Sequence, residues 1–197
     1  MYRGQFPEIT DEQLVLGALL GDLKSFDELV RRFRGAVIAV ALQALGSREA
    51  AEDVAQEAFL LAFKALPQLT ELSKFGGWLC AITRHRARRM GARNGRMEPT
   101  EPMELDRLIL ERSQELKVDP AVEFARQSER AEITEALAGL PPDYAIVLTL
   151  RYFEEWPVAQ IAGFLTLPIT TVKWRLHAGR DLLRRSLTQK KEEYSYV

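Results

Sequence analysis

Six arginines stand at positions 84, 86, 88, 89, 93 and 96 with no acidic residue among them, and seven Lys or Arg fall within 173–191 against Asp181 alone. Islands of this kind can do one sort of chemistry without breaking a bond. They can hold a polyanion, because cations clustered on particular helices set a strong local potential whatever the total charge of the chain. The total hides them: residues 97–136 carry 11 acids against 5 bases, and the formal net charge is −1. Bond-making chemistry has far less to draw on. The two histidines, His85 and His177, each sit inside one basic island. No paired carboxylates, glycine-rich phosphate loop or Cys/His metal spacing accompanies them. Cys80, the single cysteine, lies in the apolar run Trp78-Leu79-Cys80-Ala81-Ile82 and reads as a small buried hydrophobe. The expectation is a binding protein rather than an enzyme, with no metal and no cofactor.

Composition bounds the rest. The chain has 197 residues, 47% hydrophobic and 28% charged, which suits one or two soluble domains. Its longest apolar stretches fall well short of the ~20 residues that span a bilayer. No basic-then-apolar leader opens it, and one cysteine excludes an intramolecular disulfide. A soluble cytoplasmic protein without membrane insertion is expected.

The elements that must position the basic islands read as helices, since apolar residues recur at helical spacing and strand-like alternation is absent. Thr10-Asp11-Glu12-Gln13 fits a capping box and predicts a first helix to about Leu20. Phe26, Leu29, Val30, Phe33, Val37, Val40 and Ala44 share one stripe of a long helix that Gly46 ends. Ser47 caps a third helix with Ala51, Val54, Ala55, Ala58, Ala62 and Ala65 inward, and Pro67 stops it. After a loop at Gln68–Lys74, a fourth helix runs from about Phe75 to Arg93 and carries the first basic island.

Asn94-Gly95 then marks a turn, and Glu98-Pro99-Thr100-Glu101-Pro102 resists helix formation. This acidic stretch is the domain boundary. Leu105, Leu108, Ile109 and Leu116 allow a short helix within it, and helices follow at about 122–138, 142–153, 157–165 and 169–187. The fold class is therefore all-α: two helical domains, 1–94 and 125–187, joined by an acidic linker at 95–124 and followed by a tail at 188–197.

The second domain carries a helix-turn-helix pattern. Ile161, Ala162 and Leu165 face inward on a short helix, Thr166-Leu167-Pro168 makes the turn, and Thr170 is placed to cap the next helix. Thr166 stands where a turn glycine is expected. In the last helix Val172, Leu176, Gly179 and Leu183 form the core stripe, while Lys173, His177, Arg180 and Arg184 form a basic stripe beside it, flanked by Trp174 and Arg175. Such a helix can lie in a major groove about 12 Å wide, its first turns on base edges and its later cations on phosphates. Arg175 is expected at a phosphate.

Two motif sets now give a specific resemblance. Ala51-Glu52-Asp53-Val54-Ala55-Gln56-Glu57-Ala58-Phe59 and Phe75-Gly76-Gly77-Trp78-Leu79-Cys80-Ala81-Ile82-Thr83-Arg84-His85 resemble region two of extracytoplasmic-function sigma factors, the group IV branch of the sigma-seventy superfamily. Leu140-Pro141-Pro142, Gln160-Ile161-Ala162 and Thr171-Val172-Lys173-Trp174-Arg175-Leu176 resemble region four of the same family. The likeness covers about 11–93 and 125–187.

What this resemblance implies is a dissociable RNA polymerase subunit for promoter recognition and transcription initiation at stress or envelope genes. Asp53, Gln56, Glu57, Leu60 and Lys64 would dock on the clamp helices of the largest core subunit, and region four would meet the flap. Lys74, Arg84, His85, Arg88 and Arg89 would hold the minus-ten DNA, His85 standing where the family usually has Asn, with Phe75 and Trp78 as the nearby aromatics and Trp78 mainly core. Thr170, Thr171, Lys173, Trp174, Arg175, His177 and Arg180 would meet the minus-thirty-five DNA. Partners implied are core polymerase, promoter DNA and an anti-sigma factor. The alternative is a free-standing helix-turn-helix regulator that does not bind core polymerase. It would need a dimer seam, and the sequence offers no clear one.

Overall fold

The structure is a computed structural model and describes residues 9–93, 133 and 136–194, without the side chains of residues 93 and 189–194. All regular structure among these residues is helical. Four helices form the first module: α1 (Asp11–Leu19), α2 (Leu23–Leu45), α3 (Arg48–Ala65) and α4 (Phe75–Arg93), with 3-10 turns at Leu66–Gln68 and Leu72–Lys74 between the last two. Three helices form the second: α5 (Pro142–Tyr152), α6 (Val158–Leu165) and α7 (Ile169–Tyr194).

The local signals act as their chemistry requires. Thr10 accepts from the Gln13 backbone N–H while the Gln13 side chain accepts from the Thr10 N–H, a complete capping box. Gly46 ends α2 in the left-handed region at φ 72°, where an L side chain would be strained. The Ser47 hydroxyl accepts from the Ala50 N–H and opens α3. Two starting expectations shift. Helix α7 begins at Ile169, so Thr170 lies in its first turn rather than capping it, and Val172 N–H already bonds the Pro168 carbonyl at 3.1 Å. At its far end α7 continues to Tyr194, through most of the expected tail. The acidic linker, and the helix expected at 122–138 apart from 133 and 136–138, lie outside the described residues.

Helix α2 is the centre of the first module, with α1, α3 and α4 packed around it. Its buried run Ala36–Leu42 touches neighbours on every side, which explains why the amphipathic stripe thickens into a continuous apolar segment there. In the second module α5, α6 and α7 pack on one another.

The two modules also share one hydrophobic core. Helix α6 lies against α4, and α5 against α2. Phe33 of α2 meets Phe75 at 5.5 Å, Trp156 at 5.6 Å and Phe164 at 6.1 Å between ring centroids, and Trp156 and Phe164 are edge-on at 5.2 Å. Glu154 covers Gly35 so closely that a Cβ there would overlap its carboxylate. No pattern within either half of the sequence announces this contact.

Candidate nucleic-acid interface

Three surfaces converge on the residues that the sequence singled out. The first is the outer face of α3. Its alanines face α2 and α4, so Asp53, Gln56, Glu57, Leu60 and Lys64, which share the opposite stripe, are all exposed. Leu60 is 61% exposed, an apolar side chain held in water among charges. Beside this stripe runs a groove of about 510 Å³ between α2 and α3, with Leu23, Phe26, Val30 and Phe63 on its apolar wall and Asp27 and Arg34 on its rim. The stripe was legible from spacing. The groove was not, because it depends on how far α2 and α3 splay.

The second surface is α4 with the turn before it. Lys74, His85, Arg88 and Arg89 are exposed and Arg84 is half-buried, so the structure places the predicted set along one helix and its leading turn. Lys74 is ion-paired to Glu71 at 2.7 Å. Arg86, of the same basic island but outside that set, has its Nε 3.3 Å from a Glu57 carboxylate oxygen, tying α4 to α3. Phe75, the first of the two nearby aromatics, does not reach this surface. It is buried against Phe33, so its ring is not available to stack on a base, whereas Trp78 is half-buried and tilted against Phe75 at 6.2 Å. Cys80 is buried as expected, and burial pushes its thiol pKa up despite the opposing charge of Arg84.

The third surface is α7. Thr170, Lys173, Trp174, His177, Arg180 and Arg184 are exposed along one side, Thr171 is half-buried, and Val172, Leu176 and Gly179 are buried on the other. Gly179 permits the closeness of α5, since a Cβ there would lie 3.1 Å from Leu148 Cδ1 and 3.3 Å from Tyr144 Cβ. The turn before α7 holds Thr166 at φ 55°, ψ 45°, a left-handed conformation rare for a β-branched residue. The position does require the backbone of a turn glycine, and this chain meets it with threonine.

Arg175 does not join that exposed face. It is 19% exposed, and its Nη2 donates to Asp143 Oδ2 at 2.7 Å, clamping α7 to the start of α5. The physical reason is helical geometry: two residues beyond Lys173 is about 200° around the helix. His177 Nδ1 sits 3.4 Å from Asp181, which Arg184 also approaches at 3.3 Å, so these side chains pair among themselves on the outer face.

Comparison with known proteins decides what such surfaces belong to. Residues 29–97 match the family model "Sigma-70 region 2", and residues 130–183 match "Sigma-70, region 4". The RNA polymerase sigma-H factor of Pseudomonas aeruginosa is 30% identical over 180 residues, covering 90% of this chain and 93% of that protein. The chain belongs to the sigma-70 family of RNA polymerase sigma factors, in its extracytoplasmic-function branch. That branch is also met in the ECF RNA polymerase sigma factor SigE of Mycolicibacterium smegmatis, 32% identical over 87% of this chain and 65% of that protein. Among solved structures, the sigma factor RpoE of Bartonella quintana, crystallised with the anti-sigma factor NepR, shares the fold at a TM-score of 0.56, with 19% identity over 84% of this chain and 98% of that one. Sigma-70 factors are not an enzyme class. Among the described residues no three His, Cys, Asp or Glu cluster as metal ligands, and no helix is long and apolar enough to cross a membrane.

Proposed function

We propose that this sigma factor divides its work among the three surfaces. The α3 stripe of Asp53, Gln56, Glu57, Leu60 and Lys64 docks on the clamp helices of core polymerase, and the apolar groove beside Leu60 receives the apolar side of the incoming helix. Lys74, Arg84, His85, Arg88 and Arg89 form a positive track for the separated minus-ten strand. Opening then needs no active site: binding the melted strand better than the duplex shifts the equilibrium by that difference. Thr170, Lys173, Trp174, His177 and Arg180 face the minus-thirty-five duplex, and Arg175 holds their helix in place through Asp143.

The domain division that goes with this is 1–94 for region two, 95–124 for the acidic linker, 125–187 for region four and 188–197 for the tail. Packing through α6 keeps the axes of α4 and α7 within about two helix diameters, roughly 20 Å. Two turns of DNA occupy about 70 Å. The modules therefore part when both promoter elements are engaged, and a linker of this length reaches up to ~100 Å when extended. An anti-sigma factor, as in the Bartonella quintana complex, is the expected controlling partner, and the place of work is the cytoplasm.

The observation that carries this reading is the exposed α3 stripe with Leu60 at its middle. Its test is binding of the full-length protein to core RNA polymerase beside an Asp53→Ala/Gln56→Ala variant. Submicromolar binding that weakens at least ~30-fold in the variant, about two contacts of 1 kcal/mol each, is expected. Equal binding by both proteins would remove α3 from the interface.

A further inference from the structure

Trp174 is 60% exposed, on the face of α7 that also carries Thr170, Lys173, His177 and Arg180. The other two tryptophans are packed: Trp156 is buried and Trp78 half-buried. An indole left in water on the one helix shaped for a major groove calls for an account, because burying it inside would release far more apolar surface from solvent.

The ring is also held. Tyr144 lies beside it with centroids 5.8 Å apart and planes at 53°, and the neighbouring Asp143 grips Arg175. Two successive residues at the start of α5 thus fix two successive residues of α7. Fixing a side chain before binding removes part of the ordering cost of the complex. Trp174 is presented, not merely exposed.

The chemistry of the major groove then narrows what it meets. Guanine, adenine and cytosine carry no methyl group there, whereas thymine shows a C5-methyl beside the O4 acceptor. An indole offers apolar ring carbons and a single donor, Nε1–H, with no acceptor. Thymine is the base that matches both. Its methyl can rest on the ring carbons while O4 takes the N–H, and the flanking Lys173 and Thr170 remain for phosphates and other edges.

We infer that Trp174 is a specificity-determining residue of this sigma factor, reading the 5-methyl of one thymine in the minus-thirty-five element. This rests on the assignment of α7 to duplex DNA made above. The test uses the full-length protein bound to core polymerase and an upstream element selected by that holoenzyme from a randomised duplex library. Each thymine of the selected element is then replaced by deoxyuridine, which removes only the methyl. One replacement is expected to weaken binding about fourfold, the value of one buried methyl group. Trp174→Ala should bring that ratio to one at the same position only, and Trp174→Phe, which keeps a ring but no N–H, should retain most of it. A ratio of one at every thymine in the unmodified protein would overturn the inference, as would an unchanged ratio in Trp174→Ala. A library from which the holoenzyme selects no upstream element would instead overturn the duplex role of α7 and the inference with it.

Discussion

Gly77 of α4 lies directly against Gly163 of α6: a Cβ at Gly77 would stand 3.0 Å from the Gly163 carbonyl oxygen and 3.0 Å from Thr166 Cγ2. Region two and region four thus meet backbone to backbone, on the helix whose later turns carry Arg84 and Arg88. A glycine here lets the two backbones close to this distance, and a Cβ would need its neighbours to give by a few tenths of an ångström.

The contact can be locked. Thr166 Cβ is at most one C–C bond beyond its Cγ2, which places Cβ atoms at 77 and 166 within the ~3.5–4.5 Å that a disulfide spans. In Gly77→Cys/Thr166→Cys, oxidation should hold the modules together, and promoter-directed transcription should fall to the level of the uncrosslinked fraction. Reductant should restore it, and each single variant should be insensitive. Cys80 does not interfere, because it is buried with a raised thiol pKa. Full transcription by the oxidised protein would show that the modules need not separate.

Lys173 and Arg175 should part company in a salt titration. Lys173 is exposed on the side of α7 proposed to meet the duplex, so Lys173→Ala should lower the slope of log K against log salt by about 0.9, one phosphate contact. Arg175 is already neutralised by Asp143, so Arg175→Ala should leave the slope unchanged. It should instead destabilise the fold by roughly 1 kcal/mol, seen as a lower melting temperature. A slope that drops in Arg175→Ala would mean that Arg175 leaves Asp143 for the DNA.

These differences show what the sequence could carry. Caps, turn glycines and stripes are encoded within a few residues, so Thr10, Gly46, Ser47 and the α3 face were legible, and α4 was placed from Phe75 to Arg93 as found. The pairing of Arg175 with Asp143 was not legible, because it depends on the angle of Arg175 around α7 and on where α5 packs, not on its neighbours along the chain. The burial of Phe75 was not legible either, because Phe33, the ring it packs against, lies far away in sequence. The glycines at 77 and 163 carried no local signal at all. Their meaning exists only when the two modules meet.

Glu28 gives a pH prediction. Hydrogen bonds from Arg31 first and Arg32 second hold its carboxyl pKa down to about 2, and Arg32 also reaches Asp11 at 2.9 Å and the Ile9 carbonyl at 2.8 Å, fastening α1 to α2. A carboxyl whose pKa is depressed on folding stabilises the fold above its unfolded value, near 4.5, and loses that contribution as pH falls toward 2. The site is partly solvated, so the effect should be about 0.5–1 kcal/mol. Glu28→Gln should melt a few degrees lower at pH 7, with the gap closing between about pH 4.5 and 2. A constant gap across that range would assign the loss to packing rather than charge.

The aromatic cluster makes the last prediction, on whether the modules are two folding units or one. Phe33 belongs to region two, Trp156 and Phe164 to region four, and all three are buried against each other. Modules that fold separately would lose their own share of stability independently, and the two losses would add. A shared core behaves otherwise, because removing Phe33 opens a space beside Trp156 that makes the loss of Trp156 cheaper. Phe33→Ala and Trp156→Ala should each cost about 3–5 kcal/mol, and the double variant should cost less than their sum by roughly 1–2 kcal/mol. Conservative Phe33→Leu and Trp156→Phe versions keep the measurement possible if the alanine variants fail to fold. Urea denaturation followed separately by indole fluorescence and by far-ultraviolet circular dichroism should give one coincident transition in the wild type. Additive losses with two transitions would make the modules independent and reduce the aromatic contact to a surface meeting, in which case only the engineered bond of Gly77→Cys/Thr166→Cys would keep them together.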